Sequence, residues 1–280
     1  MPTFSIITPC FNAEEYIAGT VESVLTQTAI LSGRAGLEYI ICDGKSGDRT
    51  VEIVEQTVAR HGNPNVRVLS EKDSGMYDAL AKGLLLATGD ICAYINAGDY
   101  YNDHAFDVVL DVLNEHDINW LTGMIVICND KTQIVNAVLP CGYRNRLIKT
   151  GFYGPTLPYI QQEATFWRRE LNATINFKEL SQFKYAGDYF LWYQFAQTAS
   201  LTLVEAYLGT FRIHKGQISE DRLEYHREIT AFCDKPSLQD RILAFYDRIM
   251  WHMPRSIQNY CHWLPVIRYN HLTQSWSLDD

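Results

Sequence analysis

Four short apolar runs govern the first third of this chain. Each is closed by a polar loop, and the first three lead into a helical stretch. The runs are residues 4–8, 37–42, 66–70 and 91–95. Between them, 13–26, 50–60 and 74–87 carry apolar side chains at helical spacing, among them Ile17, Val21 and Val24, then Val51, Val54 and Val58. Strands and helices in this alternation make βαβ units and a mainly parallel sheet. Open sheets of this kind bind ligands outside the carboxyl ends of their strands. Chemistry is therefore expected in the loops at 8–12, 43–48, 71–75 and 96–99.

Beyond residue 100 the rhythm loosens. A helix is expected over 103–116 and a hairpin over 120–138, around Asn129-Asp130-Lys131. Residues 142–158 read as a loop rich in Gly, Pro and Tyr. A short apolar run at 162–167, an aromatic helix at 187–200 and a β-rich segment at 201–213 follow. From Ser219 the pattern is an amphipathic helix, then an aromatic tail without clear period.

Composition narrows the class. The 280 residues are 47% hydrophobic, enough for a substantial core in one large domain or one domain with an appendage. The net charge of -9 argues against a nucleic-acid binder, which must neutralise phosphates. An acidic protein can still hold one diphosphate if a bound cation supplies the positive charge. Seven scattered cysteines, with no CxxC pair, suggest neither a zinc site nor a disulfide framework. Cys10, Cys42 and Cys92 read as buried thiols in a reducing cytoplasm. No apolar run is long enough to span a bilayer, and the opening strand lacks the flank of a signal peptide.

Each strand-end loop supplies acids or small residues with two readings. The glycines of 43–48 permit tight turns, so Asp43 could accept hydrogen bonds from a base or ribose; alternatively Asp48 or Thr50 caps a helix. In 71–78, Asp73 or Ser74 could be a cap, and Asp78 with Lys82 a one-turn ion pair. Asp99 closes the most apolar strand, where one carboxylate plus substrate phosphates can hold a hard divalent cation; it could also cap a helix near Asp103. Asp188 precedes an aromatic helix. Apolar surroundings would raise its pKa, which suits a general base, and an N-cap is the alternative. His214 could touch a phosphate or metal, or sit in a surface turn.

Together these loops resemble family 2 glycosyltransferases with the GT-A fold. SIITPCFN (5–12) is similar to their opening strand and IICDGKSGDRT (40–50) to their "DGSxDxT" loop. DSGMYDALAKG (73–83), continuing to ATGD (87–90), resembles the next segment, and NAGD (96–99) occupies the place of the metal-binding "DxD". QEATFWR (162–168) and HKGQIS (214–219) are similar to acceptor-side and late segments of bacterial polysaccharide enzymes. The resemblance implies an α/β fold: a Rossmann-like, mainly parallel sheet flanked by helices, with a C-terminal helical appendage. Residues 1–218 would be the catalytic domain, split into a nucleotide-binding half (1–100) and an acceptor half (101–218), and 219–280 the extension.

It also implies roles. Thr8, Pro9 and Phe11 would line the nucleoside pocket, and Asp43 and Asp73 would hydrogen-bond the base. Asn12, Lys45, Gly75, Asp78, Lys82, Asn96, Ala97 and Gly98 complete the donor site. Asp99 would bind Mg²⁺ or Mn²⁺ on the diphosphate of a UDP-, GDP- or dTDP-sugar. Asp188 falls at the catalytic base of an "ED"-like pair whose first acid is here Gly187. Asn96 and Gly98 stand where many relatives have acids. Gln162, Trp167 and His214 are candidates for contacts to acceptor or phosphate. The implied reaction is an inverting transfer to a glycan or lipid-linked hydroxyl in cell-surface polysaccharide synthesis. A non-catalytic GT-A binding protein and a sugar nucleotidyltransferase are the alternatives. The tail mixes Phe245, Tyr246, Trp251, Trp263 and Tyr269 with Arg241, Arg248, Arg255 and Arg268. It reads either as a helix resting on an anionic bilayer at the inner face of the membrane, or as an appendage packed on the domain or on a second subunit of a homodimer.

Overall fold

The computed structural model describes residues 1–62, 65–214, 216–260 and 264–278. Lys215 and Trp263, named above, and Cys261, one of the seven cysteines, lie outside the described residues. The expected alternation is present: β1 (Thr3–Cys10), α1 (Ile17–Leu25), α2 (Thr28–Leu31), β2 (Gly36–Asp43), α3 (Thr50–His61), β3 (Val66–Ser70), α4 (Met76–Leu86) and β4 (Ile91–Tyr94). β1 lies between β2 and β4, parallel to both, with Phe4 opposite Leu37 and Ile91. β3 pairs parallel with β2, bringing Ser70 opposite Asp43. The four strands therefore end at one edge, and their loops meet there. The first helix begins at Ile17 rather than at 13, because Ala13 O accepts the amides of both Tyr16 and Ile17 in a tight turn. α3 stops at Gly62, whose φ of 64° suits a residue without Cβ.

The second half extends this sheet and adds another. It contains β5 (Tyr100–Tyr101), α5 (Ala105–Glu115), β6 (Trp120–Thr122), β7 (Ile125–Cys128), β8 (Ile134–Val138), α6 (Asn145–Lys149), β9 (Thr165–Arg168), α7 (Phe177–Leu180), α8 (Gly187–Phe195), β10 (Leu201–Val204) and β11 (Gly209–Arg212). β9 runs antiparallel to both β4 and β6 and bridges the two halves. The hairpin expected around Asn129 is β7–β8, while β6 belongs to the main sheet. The β-rich segment 201–213 divides: β10 joins the main sheet and β11 a four-stranded sheet of order β5-β11-β7-β8. An aromatic core locks the halves together. Phe4 stacks on Phe106 with ring centroids 4.2 Å apart, and Trp120 on Trp192 at 5.7 Å.

The C-terminal stretch departs from the expected helical appendage. α9 (Arg222–Phe232), α10 (Leu238–Trp251) and α11 (Arg255–Tyr260) are helical, but β12 (Val266–Asn270) and β13 (Ser275–Leu278) follow. β12 pairs parallel with β10, completing a nine-stranded sheet of order β13-β12-β10-β6-β9-β4-β1-β2-β3. The cause is an open edge on β10, whose backbone groups need partners. No described helix is long and apolar enough to cross a membrane.

Candidate active site

The loops after β1, β2 and β3 are tied to one another by their own side chains. Asn12, in a left-handed conformation (φ 46°), accepts from Gly47 N at 2.9 Å and donates its amide to Ser46 Oγ at 2.8 Å. Asp48 accepts from the amides of Glu14 (3.1 Å) and Thr50 (3.0 Å). Asp43 is buried; it accepts from Ser46 N and Oγ, and from Ser70 Oγ at 2.6 Å. With Cys42, Leu69, Glu71, Asp73 and Lys82 it lines a narrow cleft. Asp73 accepts from Gly75 N at 3.0 Å, and burial raises its pKa. A Cβ on Gly44 would lie 2.7 Å from Asp73 Oδ2, so a larger residue there would push the Asp73 carboxylate aside. Lys82 pairs with Glu71 at 3.0 Å and Asp78 at 3.5 Å, and Asp78 accepts from Ser74 N. Lys45 and Phe11 are exposed beside these loops.

Asp99 is 4% exposed and sits at a crossing of three segments. Its Oδ1 accepts from Arg212 N at 2.9 Å and its Oδ2 from Gln162 Nε2 at 3.2 Å. Thr20 Oγ1 accepts from Gly98 N and donates to Asp99 O, fixing the 96–99 loop. Gly98 adopts φ 115°, and a Cβ there would be 3.9 Å from His214 Nε2. His214 stacks on Tyr16 with centroids 4.7 Å apart, and the Arg212 guanidinium lies over the same ring. Burial pushes Asp99 up to about 7.

Around it lies a concentration of unmet hydrogen-bonding capacity. Eight buried side-chain polar atoms lack a partner among the described residues, and six of them belong to Tyr94, Asn96, Gln162, Glu163 and Arg212. Glu163 is fully buried with both carboxyl oxygens unpartnered. Burial first, then the nearby Asp99, raises its pKa well above the usual range. No cluster of three or more His, Cys, Asp or Glu among the described residues could hold a metal by itself. Asp99 beside His214, with the oxygens of Asn96 and Gln162 free, suits a divalent cation whose remaining ligands come from a bound diphosphate.

Asp188 stands at the start of α8. Its Oδ1 accepts from Tyr189 N at 2.7 Å and Tyr77 OH at 3.4 Å, and its Oδ2 from Tyr225 OH at 3.2 Å. Desolvation by its packed surroundings pushes this largely buried carboxyl up to about 6. The single proton of the Tyr77 hydroxyl is shared between Asp188 and the nearer Tyr185 O, at 2.9 Å. The Tyr77 ring explains Gly187: a Cβ there would meet the ring at 2.4 Å, so the space of the family's first acid is filled. α9 completes the setting. Glu228 accepts from the amides of Lys184, Tyr185 and Ala186 at 3.1, 2.9 and 2.7 Å, and Tyr225 lies one turn before it.

Three expected site residues, Thr8, Pro9 and Trp167, belong to the core. Thr8 is fully buried and its hydroxyl bonds Tyr39 OH at 2.9 Å, so its side chain cannot line a nucleoside pocket. Its neighbour Pro9 is also buried. Trp167 is fully buried, its indole nitrogen donating to Asn172 at 2.8 Å, so it cannot touch an acceptor. Conversely, Tyr77, Glu163, Arg212, Tyr225 and Glu228 were not among the expected site residues. Glu163 and Tyr77 lay inside quoted motifs. The other three had no local signal, because their partners are distant in sequence.

Known proteins share the fold and the family of this chain. The model of "Glycosyl transferase family 2" matches residues 5–196. The Escherichia coli UDP-Glc:alpha-D-GlcNAc-diphosphoundecaprenol beta-1,3-glucosyltransferase WfgD is 23% identical over 224 residues, covering 79% of this chain and 81% of WfgD. S. aureus TarS 1-349 in complex with UDP-GlcNAc superposes with a TM-score of 0.62 at 18% identity, over 91% of this chain and 77% of TarS. The mannosyltransferase PcManGT from Pyrobaculum calidifontis, with GDP-Man and Mn²⁺, gives 0.59 at 15% identity, over 92% and 72%. Other curated relatives are far longer: the chain spans 15% or less of their length and matches them over about 40% of itself. The four loops, the GT-A sheet that aligns them and a family match across more than half of the residues lead to one assignment: this chain belongs to glycosyl transferase family 2.

Proposed function

We propose that the chain transfers a sugar, with inversion, from a nucleoside diphosphate sugar to a hydroxyl of a glycan or lipid-linked acceptor. The observation that carries this reading is Asp188, a carboxylate with a raised pKa held by two tyrosine hydroxyls and a backbone amide at a helix start. Such a group can take a proton near neutral pH. The nucleoside would enter the cleft between Asp43, Asp73 and Lys82. Asp99, with His214, Asn96 and Gln162 beside it, would hold Mg²⁺ or Mn²⁺, whose charge opposes that developing on the leaving diphosphate. The acceptor hydroxyl gives its proton to Asp188 as its oxygen forms the new bond to the anomeric carbon. The bond from that carbon to the diphosphate breaks on the opposite face.

The relatives support the substrate class: TarS binds UDP-GlcNAc, PcManGT binds GDP-Man, and WfgD uses a diphosphoundecaprenol acceptor. Asp188→Asn is expected to lower kcat by about 10² to 10⁴ while nucleoside diphosphate binding stays within about twofold. Asp99→Asn is expected to remove the melting-temperature rise that a matched nucleoside diphosphate gives with Mn²⁺. Parental turnover in the first variant, or an unchanged rise in the second, overturns the respective role.

A further inference from the structure

The outward face of α10 is apolar along its length. Leu238, Ile242, Phe245, Ile249 and Met253 are 73, 61, 65, 39 and 37% exposed, and Ile257 of α11 continues the line at 43%. Within α10, spacings of four, three and four residues put Leu238, Ile242, Phe245 and Ile249 on one side of the helix, and Met253 and Ile257 follow beyond its end. The opposite side is anchored. Ala244 and Met250 are buried, Asp247 takes Arg144 Nε at 3.0 Å, and Asp240 takes Arg146 Nε. A capping box between Ser237 and Asp240 fixes the helix start. The stripe therefore faces outward because the helix is seated, not because it is loose.

Charge selects the partner. Residues 235–260 contain four Lys or Arg (Lys235, Arg241, Arg248, Arg255) and two acids, in a chain of net charge -9. Both acids are turned inward against arginines from outside this stretch. Along α10 the exposed charges, Arg241 and Arg248, are positive, and just before it the exposed Lys235 stands beside the exposed Asp234. A second copy docking face to face through this surface would oppose one basic rim with another. An anionic bilayer instead offers an apolar layer for the stripe and negative headgroups for the rim, with the arginine stems reaching outward.

We propose that the outward face of α10 docks the protein on an anionic lipid surface, with the helix lying in the plane of the headgroups. This is independent of the reaction proposed above, and the assay reads binding without donor or acceptor. The full chain should sediment with sucrose-loaded vesicles containing phosphatidylglycerol and not with pure phosphatidylcholine vesicles. Arg241→Gln with Arg248→Gln should weaken binding about 30-fold. Phe245→Asp with Ile249→Asp should abolish it, with far-UV circular dichroism and melting unchanged because both side chains are exposed. Three results overturn the proposal: no binding to phosphatidylglycerol vesicles; undiminished binding of either double variant; or a lipid-free dimer, seen by light scattering, that Phe245→Asp with Ile249→Asp dissolves. The last would give the face to a second copy.

Discussion

The two ends of the candidate site are built on opposite principles. On the Asp43 side, the loops after β1 and β2 are saturated: Asn12, Asp43 and Asp48 each receive hydrogen bonds from neighbouring segments. On the Asp99 side, five residues hold six buried polar atoms without partners. Unpaired buried groups cost roughly 1–3 kcal/mol each, so native structures carry few of them. Their concentration at one place marks where water, cation or substrate completes the structure. The Asp43 side is completed by folding, and the Asp99 side leaves hydrogen-bonding capacity for a ligand.

That contrast can be broken experimentally. Asp43→Asn should have the largest effect on the fold, about 3 kcal/mol of lost stability, since a buried carboxylate accepting from two hydroxyls and an amide is replaced by a group that also donates. Urea unfolding measures it; a loss under about 1 kcal/mol would mean that the loop is not held as described. Next, kcat/KM should fall about tenfold per pH unit below about 6. Asp188 must be ionised to accept a proton, and protonation removes the base as the pH drops. A flat pH–rate profile would remove Asp188 from that role. Smallest should be Glu163→Gln. Burial already favours the neutral carboxyl, so the stability change should stay within about 1 kcal/mol. The same variant should shrink the melting-temperature rise given by nucleoside diphosphate with Mn²⁺. A loss of stability as large as that of Asp43→Asn would erase the distinction between the two sides.

The nucleotide half was legible because its signals are local. Fully buried parallel strands must be continuously apolar, and the loops at their ends must be polar, so the loops that carry Asp43, Asp73 and Asp99 stand out, while the roles expected of these acids came from the family resemblance. Side-chain direction was not legible. Thr8 and Trp167 lie in motif segments, but the strand pleat turns both into the core. The setting of Asp188 was also hidden, since Tyr225 and Glu228 reach it from a helix some forty residues on. Their one-turn spacing on α9 has no periodic signature. The β12–β13 pair escaped for another reason: His271, Gln274 and Ser275 dilute its apolar pattern, and an edge hairpin has one poorly buried face.

The pairing of β12 with β10 bears on how the molecule is made. Leu203 has no outer neighbour until Val266 has been synthesised and three helices have been laid down between them. For that interval a nascent chain presents an open strand edge, a template for unwanted pairing with other chains. Solubility during synthesis, rather than turnover, is then what the last strands protect, and shortened versions of the protein should show their harm first as aggregates.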